Sequence, residues 1–421
     1  MTFAVYGQRS AVACIYIVPM RNAVAIVADD LTGAADTGGA FLAAGLPTIV
    51  SWPSIVLSGA ALEDTDVLSV DLETRIGDRA RARDVTTRVV RAMRERGARA
   101  IYKKCDSILR GHIAVEVRAA LDAWHPSSVA VVAFAFPDAG RTTIGGRQHV
   151  HGSALDRPSI PHILREEALS TRCADLATVR GGALAATLGH SRSEHVDAVV
   201  CDAETNGDLD AIAQAGAALG SPVVWVGSGG LARALPRALA LERRSHAQAA
   251  LARPEGGPIL FAIGSTSKIA RAQAARAIAA GAAHVAVPID VLEGRGLNRT
   301  GDDLAQRIER HLRDSRDVVA TIGTLDDVDV EQRRVTDALG ALLKSSASIA
   351  GGLVVTGGDT ATSVLRAVNT TALRLLHEIE PGVPIAMSIA PRPVPVVTKA
   401  GAFGDPDTLV RAASRLRELF A

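Results

Sequence analysis

Four short segments of this chain gather residue types that handle anions or move protons. The first is Ala28-Asp29-Asp30-Leu31-Thr32-Gly33-Ala34-Ala35-Asp36-Thr37-Gly38, in which two adjacent carboxylates precede a glycine- and threonine-rich turn. Side chains alternate along a strand, so Asp29 and Asp30 are expected on opposite faces. One would meet a ligand or Mg²⁺ and the other would cap the following helix, although Asp30 or Thr32 as a plain N-cap reads equally well. The second segment, Tyr102-Lys103-Lys104-Cys105-Asp106-Ser107-Ile108-Leu109-Arg110-Gly111-His112, runs directly into a helical pattern. Cations beside a helix start make an anion site, and an arginine fork suits a carboxylate. Asp106 reads either as a hydroxyl-proton acceptor or as a group that orients the lysines. The third, Pro137-Asp138-Ala139-Gly140-Arg141-Thr142-Thr143, is first a turn, with Arg141 open as a ligand-facing donor. His149 and His151 share one face of an extended segment, but no third metal ligand accompanies them.

The fourth type of segment recurs in the C-terminal half. Ile263-Gly264-Ser265-Thr266-Ser267, Thr356-Gly357-Gly358-Asp359-Thr360-Ala361 and Lys399-Ala400-Gly401-Ala402-Phe403-Gly404 each follow a strand-like run. Glycines let backbone N–H groups approach phosphate oxygens, and helix starts add positive potential. Three such loops in one domain predict a nucleotide site, whereas Val226-Gly227-Ser228-Gly229-Gly230 in the first half is a weak phosphate signal. The chain has no G-x-x-x-x-G-K-[ST] and no protein-kinase signature set. Only five residues are lysine, and Lys103, Lys104, Lys268 and Lys399 lie in or beside these motifs, with Lys344 elsewhere.

The elements that must position these groups alternate between apolar runs such as Val24–Ala28, Ile259–Ile263 and Val318–Ile322 and amphipathic stretches such as Ile113–Trp124. Continuous apolar strands imply sheets covered on both faces, and the alternation implies parallel α/β layers with ligands beyond the strands' carboxyl ends. The fold expected is therefore α/β: two α/β domains with mostly parallel sheets and an interdomain cleft. A chain of 421 residues exceeds one ordinary core. The expected division is residues 1–19 as an N-terminal extension (disordered, or an over-long start before Met20), 20–245 as a substrate-binding domain, 246–257 as a linker and 258–421 as a nucleotide-binding domain. Glu242–Pro258 turns polar, Ala-rich and then Pro/Gly-rich, as a linker does.

Formal charge is +1, from 46 basic and 45 acidic residues, and aromatics are 3%. Neither fits a nucleic-acid binder. No apolar run is long enough to span a membrane, and Ala11–Val18 lacks the flanks of a signal peptide. Cys14, Cys105, Cys173 and Cys201 form no C-x-x-C pair, which suits a reducing, cytoplasmic setting.

Taken in order, these segments resemble the four-carbon acid sugar kinase family over about Val24 to Leu419, with Gly140-Arg141-Thr142-Thr143, Gly227-Ser228 and Gly264-Ser265 among the matching pieces. The resemblance implies ATP-dependent, Mg²⁺-assisted phosphorylation of the terminal hydroxyl of threonate, erythronate or a 3-oxo-tetronate. It implies substrate contacts from Asp29, Arg75 and the run Lys103 to Asp106, with Lys103, Lys104 and Asp106 its charged members, and Asp30, Ser107 and Arg110 of the same segments are expected beside them. Nucleotide contacts would come from Ser265, Gly357, Gly358, Asp359, Thr360, Gly401 and Gly404, and no Mg²⁺ ligands are implied. On that reading Lys104 and Arg75 hold the substrate carboxylate, and Asp29 or Asp106 (with Asp30 a third option) orients or deprotonates the hydroxyl. A homo-oligomer is possible. Ile108 and His112 depart from the usual Thr and Asn, which bears on the identity of the sugar acid. Two other readings stay open: a non-catalytic sugar-acid sensor, and a nicotinamide-dependent dehydrogenase, which would lack a clean G-x-G-x-x-G after its first strand.

Overall fold

The β-branched runs form strands buried on both faces, as at Val24–Ala28, Val67–Asp71, Val129–Ala133 and Ile259–Ile263. The computed structural model describes residues 24–59, 65–241, 256–295, 298–324 and 332–419. The expected extension (1–19) lies outside them, as does the expected linker apart from residues 256 and 257.

The N-terminal half carries eight parallel strands, from Thr48–Ser51 at one edge through Val67–Asp71, Val24–Ala28, Ala100–Lys104, Val223–Gly227, Val129–Ala133 and Ala198–Cys201 to Thr171–Ala174. The C-terminal half carries five, in the order Ala283–Val287, Val318–Ile322, Ile259–Ile263, Gly352–Thr356 and Pro395–Lys399. The fold is thus α/β with mostly parallel strands, and one feature goes beyond the expectation. The two sets are a single sheet, joined by the antiparallel ribbon Ala372–Glu380 and Val383–Ile389. Ala372–Glu380 pairs with the edge strand Thr48–Ser51 of the N-terminal half through Ala372↔Ser51, Leu373↔Val50 and Arg374↔Ile49. Because this pairing is antiparallel, the two parallel sets run in opposite directions, yet loops from the carboxyl ends of both line one cleft. The sheet turns between them. Two register shifts in the joining strand, at Leu375/His377 and Glu378/Glu380, fall where bulges add twist.

The helix Leu31–Ala43 occupies the turn. Ala, Gly and Thr dominate it, and eleven of its thirteen residues are buried. A β-carbon on Gly38 would lie 2.9 Å from Thr48 Cγ2 of one half and 3.0 Å from Leu375 Cδ1 of the other, so glycine permits the close approach. Ala28, Leu31, Ala34, Ala35, Val50 and Trp52 accordingly belong to the same apolar cluster as Leu260, Leu353 and Leu373. The halves share a core.

Candidate active site

The cleft has a volume of about 480 Å³ and two unlike walls. The first is made of charged side chains from the N-terminal half. Strand alternation separates the paired residues at its centre. Lys104 faces the cleft, its Nζ donating to Cys105 O at 2.9 Å. Lys103 points behind it, fully buried, with Nζ 2.9 Å from Glu116, which also accepts from Thr74 Oγ1. Burial would lower the Lys103 pKa, but the Glu116 carboxylate outweighs that and raises it.

Arg75, four residues past Val67–Asp71, spreads its fork over both aspartates. Its Nε and Nη2 reach Asp29 at 2.7 and 2.9 Å, and Nη1 and Nη2 reach Asp30 at 2.6 and 2.7 Å. Burial pushes the Asp29 carboxyl up, and the Arg75 charge and hydrogen bonds more than reverse it, so Asp29 stays ionised. Asp29 itself does not line the cleft. Asp30 does, and it also caps the helix, accepting from Gly33 N at 2.8 Å and Thr32 Oγ1 at 2.7 Å. Asp106 accepts from Arg110 Nε and Nη2 at 2.9 and 2.8 Å and lies 3.7 Å from Arg75. Burial opposes its ionisation, but the Arg110 hydrogen bonds and the Arg75 charge hold it well below the usual carboxylate range. Ser107, Ile108 and Arg110 complete this wall, whereas His112 lies beside it, its Nε2 2.9 Å from Gly77 O.

One carboxylate differs. Asp36 lines the cleft with its Oδ1 free of hydrogen bonds, Arg233 standing 3.8 Å away. Burial raises its pKa to about 6 against the charges of Lys104 and Arg233. Asp36 lies in the Ala28–Gly38 segment, where spacing alone assigns it no role. The available signal was its being the sole charged residue in Leu31–Ala43.

The second wall is backbone. Gly264, Ser265, Gly357, Gly358, Asp359, Thr360 and Gly401 line it, as expected of the glycine loops. The helix Gly358–Ala367 starts in this lining with no side-chain cap from Gly357, which points its positive end at the cleft. Gly357 precedes it at φ +95, a conformation glycine adopts without strain. In the third loop the carbonyls are drawn inward. Lys399 Nζ donates to Ala400 O, Gly401 O and Phe403 O at 2.8, 3.3 and 3.0 Å, and Gln273 Nε2 donates to Phe403 O and Asp405 O. Ser267 Oγ adds Gly401 O at 2.7 Å. The amides of Gly401, Ala402 and Gly404 donate to nothing among the described residues. Burial lowers the Lys399 pKa to about 7, with Glu380 opposing. Gly404 stands outside the lining and turns the loop at φ +80 toward the helix Thr408–Glu418.

Contacts tie the walls together. Thr362 Oγ1 donates to Asp71 at 3.0 Å, Arg366 pairs with Glu73, and Arg233 reaches Glu378 at 2.9 Å.

A wall of fixed charges, suited to a small polar molecule, faces a wall of backbone amides and a helix start, suited to a polyanion. Residues 24–235 match the family model described as a sugar-binding N-terminal domain, and residues 260–409 match that of a nucleotide-binding C-terminal domain. The chain is 39% identical to D-threonate kinase from Cupriavidus necator, the alignment covering 93% of this chain and 98% of that protein. It is 32% identical to 3-oxo-tetronate kinase from Methylobacterium radiotolerans, over 93% and 99% respectively. A crystal structure from Salmonella typhimurium shares the fold at a TM-score of 0.77 and 22% identity, covering 94% of this chain and all of that one. The chain belongs to the four-carbon acid sugar kinase family.

Proposed function

We propose that the protein transfers the γ-phosphoryl group of ATP to the terminal hydroxyl of a four-carbon sugar acid, with D-threonate the first candidate because the 39%-identical relative is named for it. The observation that carries this reading is the pairing of the two walls in one cleft. Phosphoryl transfer requires positioning and charge neutralisation more than covalent catalysis, and those are what the walls offer.

On this reading Lys104, with no carboxylate partner among the described residues, takes the substrate carboxylate. Arg75 is already filled by Asp29 and Asp30, so it fixes the wall and does not grip substrate. Asp106, held ionised, accepts a hydrogen bond from the attacking hydroxyl and orients it. Asp36, whose proton affinity lies nearest neutrality, receives the proton. Asp29 and Lys103 support the wall from behind. Ser265, the Gly357–Thr360 turn and Gly401 cradle the phosphates.

Mg²⁺ prefers oxygen ligands and keeps several waters, so a nucleotide-bound ion needs few protein donors. Asp30 and Asp359, both in the cleft lining at the Gly357–Gly358 turn, suit it, and the ion would neutralise the β- and γ-phosphates. Among the described residues no group of three His, Cys, Asp or Glu side chains forms a cage. No described helix is long and apolar enough to cross a membrane. We place the reaction in the cytoplasm, where ATP is available.

The test is ADP release by purified protein with ATP and Mg²⁺ against D- and L-threonate, D- and L-erythronate and 3-oxo-tetronates. Turnover with one acid, and a product phosphorylated at the terminal carbon by NMR, is expected. ATP binding without turnover on any of them would overturn the kinase reading in favour of a sensor.

A further inference from the structure

The sugar-side wall presents three arginines to the cleft, and two of them are neutralised. Arg75 is shared by Asp29 and Asp30, and Arg110 is paired with Asp106. Arg141 has no ion pair among the described residues, and its Nε is buried without a hydrogen-bond partner. An unpaired buried guanidinium nitrogen carries a desolvation cost that a ligand could relieve.

Its placement says which ligand. Arg141 begins the strand Arg141–Ile144, anchored by reciprocal backbone hydrogen bonds with Phe136 at 2.8 and 3.0 Å. Its guanidinium carbon sits over the Phe403 ring, 5.0 Å from the centroid. Phe403 belongs to the loop whose free amides face the cleft, so an arginine of the sugar half reaches across and rests on the phosphate wall of the other. Arg141 also lines the cleft, together with Ala402 and Phe403 of that loop. A guanidinium beside an aromatic ring in such a cleft is suited, by its planar fork of donors, to a bidentate grip on phosphate oxygens.

We propose that Arg141 binds the phosphoryl group in transit, bringing a positive charge of the sugar half up to the glycine loop of the other half. This rests on the kinase reading above. As the bond from the γ-phosphorus to the β–γ bridging oxygen breaks and the bond to the substrate hydroxyl oxygen forms, ADP leaves with the electron pair and the hydroxyl proton passes to a base. Charge spreads over the three equatorial oxygens throughout, and Arg141, without an ion pair among the described residues, stands beside the Phe403 loop to meet it.

The experiment compares wild type with Arg141→Met, Arg141→Ala and Phe403→Leu. In turnover, Arg141→Met is expected to lower kcat by roughly 100-fold or more, with the KM for the sugar acid changing by less than about threefold. Added guanidinium should restore part of the rate in Arg141→Ala. Phe403→Leu, which removes the stacking ring and keeps the cation, should lose about tenfold or less. Calorimetry supplies an arm independent of the acceptor. Wild type should bind ATP more tightly than ADP, and Arg141→Met should lose that preference while holding ADP within about twofold. A loss confined to the sugar-acid KM would reassign Arg141 to the substrate carboxylate and overturn the proposal. An unchanged ATP preference, or equal losses in Arg141→Met and Phe403→Leu without guanidinium rescue, would do so too. Wild type that binds ATP with this Arg141-dependent preference but turns over no four-carbon acid would refute only the acceptor assignment. Absence of ATP binding in wild type would overturn both readings.

Discussion

On the function proposed above, the two walls of the cleft solve the same problem of recognition with different materials. The sugar side recognises through side chains, and most of its charges are spent on one another: Arg75 on Asp29 and Asp30, Arg110 on Asp106, Lys103 on Glu116. The nucleotide side recognises through backbone, and its one buried lysine, Lys399, acts from behind by drawing carbonyls inward. Locked side chains give a rigid, shaped surface that a single substitution can retune. A backbone wall is insensitive to most substitutions and intolerant of one kind, the addition of a β-carbon to its glycines.

The largest expected effect breaks the side-chain wall. Arg75→Met leaves Asp29, Asp30 and Asp106 facing one another without their shared cation, and turnover should vanish. Removing one partner of a buried ion pair costs about 3–5 kcal/mol, readable as a lowered denaturant midpoint. A folded, active Arg75→Met protein would mean that the wall does not depend on this pairing. Next is the backbone wall. A β-carbon on Gly264 falls on the Thr360 side chain. Gly264→Val should weaken ATP binding about 100-fold in calorimetry, or about 2.8 kcal/mol, while the affinity for sugar acid holds.

A third prediction separates Asp36 from its ionised neighbours. A base must be deprotonated to act, so kcat/KM should fall as pH drops through about 6, the value burial imposes on Asp36. Asp36→Asn should cost about 10²–10⁴-fold in kcat and remove that limb. A limb that survives in Asp36→Asn would move the assignment to another group. The fourth sharpens the role of Lys399. Burial leaves its amine largely neutral above pH 7 in the free protein, and a bound polyphosphate favours the ammonium form. ATP binding at pH 8 should therefore take up a proton, detectable by calorimetry in buffers of different ionisation enthalpy, and ATP affinity should fall as pH rises. Lys399→Met should abolish the uptake. The smallest effect concerns the retunable wall. Ile108→Thr, at the cleft, should shift preference among four-carbon acids by less than about tenfold without altering the KM for ATP. His112→Asn, beside the cleft, should change neither by more than about twofold.

Much of this was legible in the chain itself. Apolar runs alternating with amphipathic stretches implied parallel layers, and the loops after those runs carry most of the cleft. Lys103 and Lys104 could have been separated too, since neighbours in a strand must face opposite ways. The seam was not legible. Its pairing is set by a partner more than three hundred residues distant, and nothing in the local pattern of Ala372–Glu380 says that it will meet Thr48–Ser51. Asp36 and Arg141 were present in quoted motifs, but only the geometry shows that one keeps a free oxygen and the other a free cation. The ionic saturation of Arg75 was equally invisible, because spacing cannot show that Asp29 and Asp30 fill its fork.

The joining strand has a consequence for how the chain is made. Ser51 meets Thr371 across 320 residues, with Ser51 Oγ donating to its carbonyl. During synthesis at roughly 5–20 residues per second, the edge strand waits tens of seconds for the strand that covers it. Throughout that interval Val50 and Trp52, which end in a core shared with the later half, have no counterpart to pack against. The waiting edge is only four residues long, and short edges offer little template for wrong partners. Chains cut before Ala372 would keep that edge open permanently, so a release-and-refold comparison of full-length and truncated chains would show whether brevity alone keeps the nascent half from sticking to its neighbours.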